Sequence, residues 1–204
     1  MRWLELAILF VGLPIVMAYA IDPSWMWIVL LSAGLVAIVL LYFTEGFTWH
    51  SLRQGTINWR ASAILGIVTL VIASVLCWWL LPDRLFFLAR ERWYLLPILA
   101  VAYPIILVLP QELIFRPLFF KRYGGLFGNE TQAIWVNAIL FSFAHLMYFH
   151  WVVFAMTFVG SFIFARGYLR GSFPQAMLDH SIAGLMVFVS GLGWLFYSGG
   201  NVAH

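Results

Sequence analysis

Charge is what this sequence has least of. Only 9% of its 204 residues are Asp, Glu, Lys or Arg, where an ordinary soluble chain carries about 25%. So few cannot cover a water-facing surface, which excludes a soluble enzyme. Cysteine is nearly absent too. The single Cys77 lies in the apolar run LVIASVLCWWLL, so no intramolecular disulfide can form and the thiol packs as a small hydrophobe. There is no internal repeat, no linker and no low-complexity tract. Alternating apolar and polar residues over segments of about 10, the sign of a transmembrane barrel, are also missing. The formal charge of +3 and pI near 9.2 do not point to nucleic acid, because the basic residues stand in short clusters between apolar runs, where they set membrane orientation.

What the chain has instead is apolar and aromatic bulk. It is 64% hydrophobic, with 11 Trp, 8 Tyr and 19 Phe, at a mean hydropathy of +0.98. Many of these residues must face lipid. The fold class is therefore all-α, a polytopic helical membrane protein. At about 20 residues per crossing the length suits one domain over 1–204 with about seven spans. The runs place spans near 3–20, 25–44, 63–81, 94–120, 133–149, 151–167 and 174–198. Residues 1–93 hold the first three, and 94–198 the polar-bearing core. DRLFFLARERW, with three Arg among apolar residues, reads as an interfacial amphipathic helix. The first run resembles a signal peptide but lacks a small-residue cleavage site and carries Glu5, so it reads as a retained helix.

Seven crossings put Arg2, Arg53, Arg60, Lys121, Arg122, Arg166 and Arg170 on one side, and Arg84, Arg90 and Arg92 on the other. The excess predicts a cytoplasmic N-terminus and an outer C-terminus. The pattern Asn129-Glu130-Thr131 matches a glycosylation sequon but falls in a loop assigned to the cytoplasm.

Ionisable groups inside apolar runs are the best functional pointers in such a chain, since each costs about 2–3 kcal/mol or more unless paired or hydrated. Five stand out, Glu112, Arg116, His145, Asp179 and His180, and five in three different spans predict one shared polar pocket. Glu112 and Arg116 are four apart on one helix face. Four prolines, at 97, 104, 110 and 117, recur through this span, and Pro110 and Pro117 bracket QELIFR, predicting a proline-kinked central helix. His145 follows Phe141 by four residues, so ring and imidazole share a face. Asp179 precedes His180 and could orient either histidine, and Gly184 lies one turn beyond. His150 sits at a membrane boundary. Two chemistries remain open. Glu112 with a histidine could deprotonate water while the second histidine stabilises the oxyanion. Alternatively, Glu112, His145 and His180 could hold zinc with an open water position, although no short HExxH signature is present.

QELIFR, then FSFAH, then DHSIAG resemble the three motifs EExxxR, FxxxH and HxxxN of the CPBP (CaaX protease and bacteriocin-processing) family of intramembrane proteases. The matching stretch covers about residues 105–197. The resemblance implies a helical intramembrane endopeptidase that activates water with glutamate and histidine and takes no metal cofactor. By position, His145 is similar to the histidine that helps activate water, His180 to the oxyanion-stabilising histidine, and Arg116 to the motif arginine. Two positions depart. Gln111 replaces the first Glu, usually taken as the base, and a glutamine cannot exchange a proton near neutral pH. Gly184 stands where the family often has Asn. Either Glu112 acts as the base through a locally unwound helix, or the chain is an inactive relative serving as a membrane binder or immunity protein.

PQELIFRPLFFKRYGGLF and FVSGLGWLFY also resemble a bacterial subgroup in which the QE pattern is ordinary. This implies the bacterial cytoplasmic (inner) membrane and a membrane-associated protein or peptide substrate, such as a C-terminal sorting tag on an exported protein. The expected partners are that substrate and the bilayer, without nucleic acid; the oligomeric state is left open. A proton-coupled transporter is the other reading of buried Glu, Arg and His, against which stands the lack of an internal two-fold repeat.

Overall fold

The computed structural model describes residues 1–197, and its described residues contain helices and no strand. The protein is an all-α polytopic membrane protein. In chain order the helices are α1 (Arg2–Ala20), α2 (Pro23–Tyr42), α3 (Trp59–Leu80), α4 (Phe87–Glu91), α5 (Leu95–Leu126), α6 (Glu130–Phe143), α7 (Trp151–Arg170), α8 (Phe173–Ser190) and α9 (Trp194–Tyr197). Position 198, the expected end of the last span, lies outside the described residues.

Side chains that accept the orphan backbone N–H groups of a first turn start several of these helices. Asn58 accepts from Ala61 N (3.0 Å) ahead of α3, and Asn129 from Gln132 N (2.9 Å) ahead of α6. Ser172 accepts from Gln175 N (3.2 Å) ahead of α8. His150, expected only as a boundary histidine, accepts from Val152 N through Nδ1 (3.2 Å) and caps α7. Asp22, outside the spans, accepts from Ser24 N and Oγ at 2.9 and 2.6 Å, which holds its carboxyl below the usual carboxylate range.

Five helices, α1, α2, α3, α5 and α7, are long and apolar enough to cross a membrane by themselves. The other two expected spans fall short for different reasons. α6 is a 14-residue helix, about 21 Å against a hydrocarbon core of about 30 Å, because it ends before His145 rather than reaching 149. α8 has 18 residues but carries Gln175, Asp179 and His180. Both are sheltered by the bundle, α6 against α7 and α8 between α3 and α7. Of the expected amphipathic segment, Phe87–Glu91 is α-helical, and its first two residues end a 3-10 turn over Pro82–Arg84.

Contacts at the two ends fix the antiparallel order. On one face Glu5 pairs with Arg122 at 2.8 Å and Trp3 meets Phe127 edge-on. On the opposite face Tyr19 meets Phe149 and Phe86 N donates to Ser190 O. There Gly191 ends α8 at φ +95, with the Arg84 carbonyl where a Cβ would stand. Phe10 binds α1 into the core, lying edge-to-face on Phe115, Phe119 and Tyr123 at 5.2, 5.6 and 5.8 Å. Cys77 is buried with Ala73, Val152, Val153 and Val187, the environment expected of a small hydrophobe.

α5 decides where the chemistry can be. It runs 32 residues, but its winding alternates: α over Leu95–Ala102, π over Tyr103–Val108, α over Leu109–Leu113 and π over Ile114–Tyr123. Pro104 opens the first π segment and Pro117 lies inside the second. Pro104 and Pro117 thus sit in widened turns while Pro97 and Pro110 lie in the α segments, and Glu112 itself stays in an α turn rather than an unwound one.

Candidate active site

Glu112 is fully buried in the short α-helical turn between the two π segments. Its Oε2 accepts from Arg116 Nε at 2.9 Å, and its Oε1 accepts from Arg116 Nη2 at 3.3 Å and from His180 Nδ1 at 2.9 Å. Because a carboxylate only accepts, that last bond puts the His180 proton on Nδ1. Arg116, equally buried, turns its remaining donors on Asn137 Oδ1, Ser161 Oγ (3.3 Å) and Phe115 O (3.4 Å). Asn137 in turn donates to Phe115 O at 2.8 Å. A buried ion pair is tolerated only when its leftover donors and acceptors are satisfied, and this cluster from α5, α6, α7 and α8 meets that condition.

His145 is elsewhere. It follows the last turn of α6, and its Nδ1 donates to Phe141 O at 2.8 Å, so Nε2 carries the lone pair. Phe141 contacts both histidines, its ring centroid 4.9 Å from that of His145 and 5.6 Å from that of His180, with the Arg116 guanidinium 5.4 Å from the same ring. On its far side His145 lines a cavity of about 480 Å³ between α1, α2, α5 and the α6–α7 connection. Gln111 lines it too, and its Oε1 is buried without a hydrogen bond. The structure thus unites Glu112, Arg116 and His180, and separately unites Gln111 and His145.

The remaining expected residues have other surroundings. Asp179 does not orient a histidine. Its Oδ1 accepts from Ser62 Oγ (2.6 Å) and Gln175 Nε2 (2.8 Å), while Gln175 Oε1 accepts from Asn58 N (2.6 Å), so Asp179 fastens α8 to the start of α3. Gly184 makes room for Tyr103, whose hydroxyl and ring occupy the place where a side chain at 184 would begin. Tyr103 also meets the His180 ring edge-on, and Phe164 stacks on the same imidazole at 4.8 Å.

Glu112, His145 and His180 are not grouped as metal ligands, and neither are any other three His, Cys, Asp or Glu among the described residues; both oxygens of Glu112 already accept from Arg116 and His180.

Asn137, Ser161 and Tyr103 were not singled out from the sequence. Asn137 had a signal, since it lies four residues before Phe141 on one face of α6. Ser161 and Tyr103 had none, because one hydroxyl in an apolar helix is ordinary.

A family model described as type II CAAX prenyl endopeptidase Rce1-like matches residues 92–203. No curated protein and no solved structure matches the chain.

Proposed function

The chain belongs to the type II CAAX prenyl endopeptidase Rce1-like family, and from that premise we propose that it is an intramembrane endopeptidase whose reaction takes place in the cavity of Gln111 and His145. Membership implies a membrane-embedded protease acting on protein; where and how it acts is our reading. One observation carries it. His145 brings a basic nitrogen to a cavity wall, whereas the carboxylate of Glu112 is sealed and already bonded to Arg116 and His180.

In this mechanism a water in the cavity gives its proton to His145 Nε2 as its oxygen attacks the scissile carbonyl carbon. A positioned base contributes about 10²–10⁴-fold. The carboxamide of Gln111 donates to the carbonyl oxygen as it becomes negative, a contribution of about 3–4 kcal/mol in a dry site. The imidazolium returns the proton to the amide nitrogen, the C–N bond breaks, and an acid and an amine leave. Glu112, Arg116 and His180 hold α5 against α6, α7 and α8 so that Gln111 stays aimed. The substrate is a membrane-associated protein or peptide, with a C-terminal sorting tag as the form the resemblance favours. The basic face lies in the cytoplasm of a bacterial cell. A second reading, a binding protein without turnover, is favoured by Gln111 itself, an amide where the motif carries a carboxylate.

The test uses purified protein in detergent and fluorogenic peptides with hydrophobic C-terminal segments. Wild type, His145→Ala, Gln111→Glu and Glu112→Gln are compared with and without a chelator. Turnover lost in His145→Ala at an unchanged unfolding temperature, and indifferent to chelator, is the expected result. Full turnover in His145→Ala overturns the mechanism. A silent wild type with activity gained in Gln111→Glu establishes the binding protein.

A further inference from the structure

The wall of the cavity carries a second message. Its polar groups are Ser24, Gln111, His145, the Tyr148 hydroxyl and the Trp27 indole N–H, and no lining side chain bears a formal charge. The two ends of the cavity also differ in what surrounds them. Towards the basic face stand Phe10, Phe115, Phe119 and Tyr123, each at most 5% exposed, and beyond them the Glu5–Arg122 pair. Towards the opposite face the lining includes Pro23 and Ser24 from the turn joining α1 to α2, Tyr148 from the α6–α7 connection, and Phe196 of α9. Exposed Tyr19, Trp25 and Phe149 lie at the same level.

We infer that the cavity receives an uncharged, apolar polypeptide segment, in extended form, from the face opposite the basic cluster. This rests on the reading of the cavity as the active site and names what reaches it and from where. The aromatic plug denies the basic face a path, and the missing counter-charge excludes Lys, Arg, Asp and Glu from the occupant, since an unpaired charge in such surroundings is expensive. An apolar segment entering alone must satisfy its own backbone groups. The unpartnered Gln111 Oε1 is placed to accept from one of its N–H groups, which an intact helix would not offer.

The experiment uses the full chain in proteoliposomes. Cys77→Ala removes the native thiol, and Asp83→Cys or Gln54→Cys marks the opposite or the basic face for a membrane-impermeant maleimide, so that the orientation of each vesicle preparation is known. Peptides with an apolar segment are added outside. Binding is read by crosslinking to a benzophenone amino acid at Trp27, and cleavage is read separately. The expected result is crosslinking where the Asp83 face is outward, with about hundredfold weaker capture of a peptide carrying Lys inside the segment. Crosslinking without cleavage supports the inference and sinks the protease reading. Cleavage and crosslinking confined to vesicles with the Gln54 face outward overturn the inference and leave the protease standing. Equal capture of the Lys peptide, or no crosslink in either orientation, also overturns it.

Discussion

The cavity and the cluster beside it share α5, both meet the ring of Phe141, and treat polar groups in opposite ways. In the cluster, Glu112 and Arg116 are fully buried and the guanidinium has acceptors for its N–H groups. In the cavity, His145 keeps a free nitrogen and Gln111 a buried oxygen with no partner. The residues that diverge are adjacent, and one residue of helix turns a side chain by about 100°. Satisfied polar groups make a fixed scaffold, and unsatisfied ones are left for a reactant. The same type of substitution should therefore have opposite effects in the two places.

The largest effect is expected at Arg116. Arg116→Leu leaves Glu112 buried without its cation, and breaking such a pair costs about 3–5 kcal/mol, seen as a large fall in the unfolding temperature in detergent. An unfolding temperature equal to wild type would break the comparison. Gly184→Ala comes next. Its Cβ meets Tyr103, so a loss of about 1–3 kcal/mol is expected from overpacking, recovered for the most part in the double variant with Tyr103→Leu. Gln111→Leu should act in the other direction. Removing an unpaired buried acceptor raises stability by about 1 kcal/mol while turnover falls, a trade of activity for stability. A stability loss there would put Gln111 in the scaffold.

The smallest effect concerns pH. His150 caps α7 through a neutral ring, and burial lowers its pKa from the ordinary histidine value. A lowered histidine contributes stability that is present above its unfolded pKa and lost as pH falls through the folded value. Thermal unfolding followed downward from pH 7 should show that loss, flattened in His150→Asn, whose amide oxygen caps without titrating.

The runs of apolar residues made the helices legible, because lipid leaves a backbone few alternatives to internal hydrogen bonding. Glu112, Arg116 and His180 were legible as neighbours for the same reason, since ionisable groups in an apolar phase must find each other, although the single pocket expected also held His145 and Asp179, which have other surroundings. Three things were not. The early end of α6 depends on the Ala144 turn and the short connection to His150, which the run AILFSFAHLMYFH does not reveal. The separation of Gln111 from Glu112 depends on which side of α5 faces α1 and α2, a matter of packing between distant parts of the chain. Asp179 looked like a partner for the histidine beside it, yet on a helix neighbours point apart, and it met Ser62 from another helix instead.

The two π segments of α5 also bear on how such a protein can change over generations. A residue inserted into or removed from a regular membrane helix rotates everything beyond it and is usually ruinous. A π segment is a place where an added residue has already been absorbed, since its hydrogen bonds span one residue more than those of an α turn. Removing a residue from Tyr103–Val108 would restore ordinary winding and leave Leu95–Ala102 facing the lipid much as before, while Gln111, Glu112 and Arg116 kept their settings. Length variation, elsewhere confined to loops, has in this helix a tolerated position inside the bilayer.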